Sequence, residues 1–208
     1  MTNFKLLDHP ALLHSLTILR DKNTSVRDFR IILKEMSRLL IFEATRDLKL
    51  TTIEKETPLE RDSFPWVQDD VLLISVMRAG NAFLEGALEA LPFALGGHIG
   101  LKRLGNGHSV EEYYYNVPTF NDNSQIFLLD PMVATGGSII HTIAKAKEKG
   151  MKNLHFVSLL MSPYAKERLA KEHPDVKVFT AAVDREMNEK NYILPGLGDA
   201  GDRIYGTS

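Results

Sequence analysis

Five short apolar runs alternate with segments of helical periodicity along most of this chain. The runs are "VLLISV" (71–76), "LGGHIGL" (95–101), "IFLLD" (126–130), "LHFVSLL" (154–160) and "VKVFTA" (176–181). The helical segments between most of them are 81–91, 138–150, which Gly150 ends, and 162–173, which has Pro163 in its first turn. Apolar runs without a polar face are typical of strands that are buried on both sides, as in parallel sheets. The alternation therefore predicts an α/β fold with a doubly wound, mostly parallel sheet.

Three further segments have recognisable patterns. Ser25 is a candidate N-cap with Asp28 three residues on, and the apolar spacing that follows predicts a helix from 26 to about 46. Residues 51–66 contain two prolines and predict a short extended excursion. Residues 104–125 lack a helical period and are too long for an ordinary connection, so they predict a mobile loop or hairpin over the site.

The composition narrows the class of protein. The chain has 208 residues, enough for one domain with a sizeable core, and its 25 basic and 27 acidic residues leave a net charge of −2. This balance gives no reason to expect a nucleic-acid or membrane partner. Cysteine is absent, which excludes disulfide and thiolate chemistry, and no signal pattern or run of about 20 apolar residues occurs. We therefore expect a cytoplasmic protein.

Charged residues follow the predicted strands. "MRAG" follows the first run, "KR" ends the second, "DPMVATGGS" follows the third, "MSP" the fourth and "VDR" the fifth. Ligands of doubly wound sheets bind beyond the carboxyl ends of the strands. We therefore expect Arg78, Arg103 and Asp130 at one edge of the sheet, although Arg78 alone is equally well explained as a structural ion-pair partner.

A glycine turn, defined here as residues 130–138, joins the third strand to a helix. Backbone N–H groups at Gly136 and Gly137, with hydroxyls of Thr135 and Ser138, are suited to hold an anion at the helix N-terminus. The glycine pair also fits an ordinary capped turn. A P-loop and a dinucleotide fingerprint are excluded because "GxxxxGK[ST]" and "GxGxxG" are absent. Asp130 is placed to accept hydrogen bonds from vicinal sugar hydroxyls, so a ribose 5-phosphate fits the whole turn.

Two motifs carry a family resemblance. "LLDPMVATGGS" resembles the phosphoribosyl-diphosphate (PRPP) motif of type I phosphoribosyltransferases, in the variant with proline after the acid that uracil phosphoribosyltransferases have. "NYILPGLGDAGDRIYGT" (191–207) resembles the C-terminal uracil-binding segment of that family, and shorter similarities cover essentially the whole chain. The chain departs from the family at Ser75, where proline is frequent, at Lys102, where an aromatic residue is common, and at "MSPYA" (161–165), which replaces an "APEG"-like stretch.

The resemblance implies roles for individual residues. Residues 134–138 would take the 5-phosphate, Asp130 the ribose hydroxyls, Arg78 and Arg103 the pyrophosphate, and Asp199 would approach the diphosphate through Mg²⁺, the expected cofactor. The implied catalytic residues are Arg103, Asp130 and Asp199. The implied PRPP-binding residues are Arg78, Arg103, Asp130, Pro131, Met132, Val133, Ala134, Thr135, Gly136, Gly137, Ser138 and Asp199. The implied uracil-binding residues are Tyr192, Ile193, Gly198, Asp199 and Ala200.

The resemblance also implies an activity and an organisation. The expected reaction is transfer of the phosphoribosyl group of PRPP to N1 of uracil, giving UMP and pyrophosphate in pyrimidine salvage. The expected fold is one domain, 1–208, with a core at about 68–182, a mobile arm, and a C-terminal base-binding hood at about 183–208. Family members are commonly dimers, and some assemble further with GTP, so a homodimer or larger homo-oligomer is expected and GTP is a candidate activator.

Other functions fit the sequence less well. A regulatory protein that keeps the fold and binds RNA would need a basic face, which a net charge of −2 disfavours. A purine phosphoribosyltransferase is disfavoured by 191–207. "YYY" (113–115) is either a stacking platform for single-stranded RNA or, as we favour, part of the arm or an oligomer contact. The seven histidines show no metal-ligand spacing.

Overall fold

The computed structural model describes residues 4–103 and 110–207. Its helices and strands, in chain order, are β1 (Phe4–Leu6), α1 (Pro10–Arg20), α2 (Val26–Ala44), β2 (Leu50–Glu56), β3 (Arg61–Val67), β4 (Val71–Met77), α3 (Gly80–Ala90), β5 (Leu95–Arg103), β6 (Val110–Asn116), β7 (Gln125–Leu129), β8 (Met132–Val133), α4 (Gly137–Glu148), β9 (Asn153–Met161), α5 (Pro163–Glu172), β10 (Lys177–Val183), β11 (Glu186–Met187), β12 (Ile193–Leu194) and α6 (Ala200–Tyr205).

The central sheet has the strand order β1-β10-β9-β7-β4-β5-β6, with β8 paired to β9. Every pairing in it is parallel except that of β5 with β6. The five apolar runs are β4, β5, β7, β9 and β10, and the three helical segments between them are α3, α4 and α5. The prediction of a doubly wound, mostly parallel α/β sheet is confirmed.

The sheet is buried on both faces because successive side chains of a strand point to opposite sides. Leu73 and Phe127 pack on one face with α1, α2 and α3. Leu72 and Ile126 pack on the other face with α4 and α5. Gly86 lets α2 and α3 approach closely, since a Cβ there would lie 2.3 Å from the carbonyl oxygen of Lys34. The molecule is therefore a three-layer sandwich whose strand ends are free to form a site.

The helix predicted from residue 26 is α2, and its cap has the expected chemistry, with Ser25 Oγ accepting a hydrogen bond from the backbone N–H of Asp28. The extended excursion at 51–66 is the antiparallel β2–β3 hairpin, which forms a sheet of its own. In the segment 104–125, β6 pairs antiparallel with β5, as a hairpin does. Residues 104–109 lie outside the described residues, and the mobility of this segment stays a prediction.

The C-terminal segment is fixed on the N-terminal helices by two arginines. Arg20 of α1 donates to both carboxylate oxygens of the buried Asp184, at 2.7 and 2.5 Å, and to the carbonyl of Gly196 at 2.8 Å. Arg203 of α6 donates to the carbonyl of Asp21 at 2.6 Å and lies 4.5 Å from the ring centre of Phe29 in α2. In residues 4–103 and 110–207, none of the helices is long and apolar enough to span a bilayer.

Candidate active site

A cleft of about 510 Å³ opens beyond the carboxyl ends of β4 and β7. Ten of the predicted site residues line it, namely Arg78, Asp130, Met132, Ala134, Thr135, Ser138, Tyr192, Gly198, Asp199 and Ala200. The two motifs that are about 60 residues apart in sequence thus meet in one place, as strand ends of a doubly wound sheet are expected to do. The structure also places residues there that the sequence interpretation missed: Val76, Met77, Ala79, Leu101, Lys190, Asn191 and Gly201.

Arg78 lies in the turn between β4 and α3, and its exposed side chain borders the cleft. The carbonyl of Arg78 accepts hydrogen bonds from the backbone N–H of Asn81 and from the Tyr205 hydroxyl, each at 3.1 Å. Gly80 is required by close packing, because a Cβ would lie 2.6 Å from the carbonyl oxygen of Leu129 in β7. The turn is therefore held against the sheet on one side and against the C-terminal helix on the other.

A small polar cluster lies under this turn. The buried Ser75 hydroxyl donates to Oδ1 of Asn81 at 2.8 Å and lies 3.0 Å from Nδ1 of His98. Ser75 and His98 are register partners on β4 and β5. A hydroxyl on a central strand is expensive to bury without a partner. Asn81 and His98 supply those partners, which explains how the chain tolerates serine at this departure from the family.

Asp130 follows β7 directly, and its Oδ1 accepts a hydrogen bond from the backbone N–H of Met132 at 3.4 Å. Gly136 has φ +76, in the left-handed region that favours glycine, and caps α4. Gly137, the first residue of α4, lies outside that region, and the nearest atom to an added Cβ is Thr135 Oγ1 at 3.7 Å. The backbone requirement for glycine is therefore at Gly136, whereas Gly137 leaves open space beside the cleft.

Four predicted PRPP-binding residues shape the glycine turn without belonging to the set that lines the cleft: Pro131, Val133, Gly136 and Gly137. Val133 is in β8, and its side chain packs in the core on the α4 side. Pro131 is buried, and its carbonyl accepts from the backbone N–H groups of Leu159 and Leu160.

The C-terminal segment forms the opposite wall. Asp199 is exposed and caps α6, with its Oδ1 accepting from the backbone N–H of Asp202 at 3.0 Å. Gly198 has φ +83, a backbone conformation that would be strained for a residue with a side chain. Ile193 is not in the set that lines the cleft. Its side chain is in the core, and its carbonyl oxygen is 2.2 Å from where a Cβ at Gly196 would lie.

Arg103 ends β5 opposite Val110 of β6, and Leu101 of the same strand lines the cleft. The side chain of Arg103 lies outside the described part of the structure, so its role stays a prediction. The sequence could have pointed to Lys190 and Asn191, which directly precede the predicted base-binding residues. Val76 and Met77 could not be recognised in this way, since their apolar side chains look like any strand end.

The cleft combines basic and acidic groups suited to a phosphorylated sugar. Arg78 and Lys190 provide positive charge, and Asp130 and Asp199 provide carboxylates. Within residues 4–103 and 110–207, no group of three or more His, Cys, Asp or Glu side chains is arranged to hold a metal ion by itself. Mg²⁺ is typically held by one or two carboxylates together with substrate phosphates, and two carboxylates on one cleft fit that donor set.

Comparison with known proteins decides the family. The family model for uracil phosphoribosyltransferase matches residues 6–207. The chain belongs to the uracil phosphoribosyltransferase family. Membership makes it a glycosyltransferase, and the resemblance drawn from the two motifs is confirmed.

Relatives and solved structures agree with this membership. The uracil phosphoribosyltransferase of Fervidobacterium nodosum is 46% identical over 203 residues, 97% of this chain and 98% of that one. The structure of the AQ2163 protein from Aquifex aeolicus has a TM-score of 0.92, with 33% identity and 99% of both chains covered. The adenine phosphoribosyltransferase of Trypanosoma brucei, at 13% identity, shares the fold with a TM-score of 0.59 over 96% of this chain and 89% of that one. The type I phosphoribosyltransferase fold predicted from the sequence is thus confirmed.

Proposed function

We propose that the chain transfers the phosphoribosyl group of PRPP to N1 of uracil, releasing pyrophosphate and UMP in pyrimidine salvage. The observation that carries this proposal is the meeting of the glycine turn with the C-terminal segment in one cleft. A transferase needs both substrates side by side, because holding two reactants in a reactive geometry removes much of the entropic barrier. The core at about 68–182 would bind PRPP, and the segment at about 183–208 would bind the base.

The glycine turn would hold the 5-phosphate. The turn leads into α4, whose N-terminus carries partial positive charge and backbone donors. Ala134, Thr135 and Ser138 line the cleft there, and the two hydroxyls add donors. Asp130 is the first residue of the turn, where its carboxylate would accept hydrogen bonds from the ribose 2- and 3-hydroxyls. One phosphate and two hydroxyls on the same sugar would then fix C1 relative to the base.

Arg78 and Arg103 would receive the pyrophosphate that leaves C1. Departure of a polyanion from an oxocarbenium-like carbon is favoured by positive charge placed where negative charge grows. Mg²⁺, bound to the diphosphate and near Asp199, would neutralise part of that charge. No side chain has to act as a nucleophile, since the base nitrogen attacks C1 directly, and exclusion of water from the cleft would favour this attack over hydrolysis.

Uracil would be read by main-chain groups of the C-terminal segment. Its edge presents two carbonyl acceptors and one N3–H donor, which backbone amides and carbonyls match. Gly198 and Ala200 line the cleft, where Gly198 has no side chain and a positive φ, and Tyr192 is exposed beside them. A homodimer or larger homo-oligomer and activation by GTP complete the proposal from the family resemblance.

The proposal is tested by incubating radiolabelled uracil with PRPP and Mg²⁺ and measuring labelled UMP. Formation of UMP that depends on PRPP is expected. Absence of UMP together with tight binding of RNA would overturn the proposal in favour of a regulatory protein. Initial rates with and without GTP, measured alongside light scattering, test activation and assembly in the same preparation.

A further inference from the structure

The carbonyl oxygens of the glycine turn are bound by groups behind the cleft, in β9 and α5. The carbonyl of Pro131 accepts from two backbone N–H groups of β9, at 3.0 and 3.1 Å, and the carbonyl of Val133 accepts from the N–H of Ser162 at 3.0 Å. These bonds extend the strand pairing of β8 with β9 at both of its ends, with Pro131 before the first register pair and Ser162 after the last. The next two carbonyls, of Ala134 and Thr135, are beyond the reach of regular pairing and are bound by side chains.

Ser162 binds the first of these carbonyls. Its hydroxyl donates to the carbonyl of Ala134 at 2.5 Å and accepts from the backbone N–H of Ala165 at 2.9 Å, so it caps α5 at the same time. Ser162 is fully buried. A buried hydroxyl with both its donor and its acceptor used has one orientation, and this orientation fixes the Ala134 peptide relative to α5.

Arg168 binds the second carbonyl. Its Nη1 donates to the carbonyl of Thr135 at 3.1 Å, while its Nε pairs with Glu172 at 2.9 Å one helical turn later. The ion pair with Glu172 is partly exposed and contributes little energy. Two consecutive carbonyls of the turn are thereby bound from one helix.

Each bound carbonyl shares a peptide unit with the N–H group of the next residue. The bonds to the carbonyls of Ala134 and Thr135 therefore also orient the N–H groups of Thr135 and Gly136. Within the described residues, the backbone N–H groups of Thr135, Gly136 and Ser138 have no protein acceptor. Rotation of either bound peptide unit would bring a carbonyl oxygen toward the anion and would lose an N–H donor. We propose that Ser162 and Arg168 are positioning residues that fix the glycine turn in the orientation that binds the 5-phosphate of PRPP.

The proposal rests on the assignment of the 5-phosphate to the glycine turn under the proposed function. It also gives a role to a departure of the sequence. Ser162 belongs to "MSPYA", which stands where the family has an "APEG"-like stretch, and Arg168 follows on the same helix. The departure supplies the hydroxyl of Ser162, and Arg168, three residues after this stretch, adds a guanidinium group.

The first test replaces Ser162 by alanine. The substitution removes both hydrogen bonds of the hydroxyl. Loss of the bond to the partly buried Ala134 carbonyl is expected to raise both the KM for PRPP and the Kd for ribose 5-phosphate about tenfold. The KM for uracil and kcat are expected to stay within about twofold, because the anchoring phosphate is bound equally in the ground and transition states. The matched control is Ser25→Ala, which removes the same kind of cap from α2, far from the turn, and should leave the KM for PRPP unchanged.

The second test separates the bond to the turn from the ion pair on α5. Arg168→Gln should raise the KM for PRPP and the Kd for ribose 5-phosphate severalfold, whereas Glu172→Gln, which removes only the ion pair, should leave both within about twofold. Arg168→Gln also tests the positioning role by itself if Ser162→Ala does not fold. Unchanged ribose 5-phosphate binding in folded Ser162→Ala and Arg168→Gln would overturn the proposal, as would an equal rise in the KM for uracil. Absence of UMP with the unaltered chain would instead overturn the proposed function, and calorimetry with ribose 5-phosphate would still test the turn.

Discussion

At the scale of single residues, the two glycines of the turn, Gly136 and Gly137, have different roles. Gly136 has φ +76, which an L-residue adopts at a cost, whereas Gly137 has ordinary backbone angles and open space where a side chain would go. From the sequence, both glycines were expected to serve the anion site in the same way. The pattern "GG" does not tell which glycine is conformational and which keeps the site open, because that depends on where the helix begins.

We expect Gly137→Val to fold with nearly unchanged stability and to lose PRPP affinity, because its methyl groups would occupy the space beside Thr135 that the phosphate needs. Gly136→Ala should instead lower the free energy of unfolding by about 1 to 2 kcal/mol through its positive φ. Urea unfolding and PRPP titration of both variants check this. Normal PRPP affinity in Gly137→Val would remove the phosphate assignment from the turn.

His155 gives the chain a pH dependence that is unrelated to the cleft. Its ring stacks on Phe127 with the ring centres 4.6 Å apart, Nε2 lies 3.1 Å from Oε1 of Gln125, and Nδ1 is buried with no partner among the described residues. Burial, followed by the nearby charge of Lys177, lowers the pKa of His155 from 6.5 to about 4. Because the unfolded chain binds this proton at higher pH than the folded one, stability is fully present above about pH 6.5 and falls as the pH drops toward 4.

The expected loss between those limits is about 3 kcal/mol for this group. It is measured as the difference in unfolding free energy between the unaltered chain and His155→Gln from pH 7.5 to pH 4.5, with the exposed His14→Gln as control. The difference should shrink as the pH falls. A constant difference over this range would show that His155 does not carry the effect.

At the scale of elements, the sequence predicted the strands and helices whose burial is recognisable from the apolar residues of the element itself. The apolar runs at β4, β5, β7, β9 and β10 are recognisable because both faces of each strand are buried. By contrast, β1 is three residues long and largely exposed, and β2 and β3 are mostly exposed, so none of these three strands has an apolar pattern. Helix α1 does carry signals, with Pro10 at its start and Leu12, Leu16 and Leu19 on its buried face, and was missed.

The link between α1 and the C-terminal segment lies beyond sequence reasoning, because Arg20 and Asp184 are 164 residues apart. It has a testable consequence for the base site. Asp184→Asn should lower the free energy of unfolding by about 2 to 4 kcal/mol, since the carboxylate is buried and accepts charged hydrogen bonds. It should also raise the KM for uracil more than that for PRPP, because the Asp184 carboxylate accepts a hydrogen bond at 2.8 Å from the N–H of Gly196 in the proposed base-binding segment.

The matched control is Asp122→Asn, whose exposed ion pair with Lys152 is expected to be worth less than about 1 kcal/mol. Denaturant unfolding and initial rates at varied uracil and PRPP concentrations are measured for both variants. An equal rise of both KM values in Asp184→Asn would contradict a specific connection to the base wall.

At the scale of the whole molecule, two parts of the chain meet in the cleft, and their positions were predicted from different features of the sequence. The proposed PRPP side follows from strand order and the edge of a parallel sheet, and Arg78, Asp130 and part of the glycine turn line the cleft as that edge predicts. The base side depends on a segment without regular periodicity, and only its resemblance to the family indicated it. Tyr192 lines the cleft, whereas the side chain of Ile193 is in the core, so the predicted contact of Ile193 with the base would have to be made by its main chain.

The division of labour between the two sides predicts base choice: the chain should use uracil and 5-fluorouracil and reject cytosine. The amine of cytosine at C4 puts a donor against a main-chain donor, and the missing N3 proton leaves a carbonyl facing a lone pair. At about 1 to 3 kcal/mol for each buried group left unpaired, the penalty is about 2 to 6 kcal/mol, a preference of roughly thirtyfold to twenty-thousandfold. Fluorine at C5 leaves the hydrogen-bonding edge intact and adds little bulk, so 5-fluorouracil should be accepted. Competition kinetics with the three bases check this, and turnover of cytosine within about tenfold of uracil would mean that residues 193–200 do not read the pyrimidine edge, since a single unpaired group already corresponds to about that ratio.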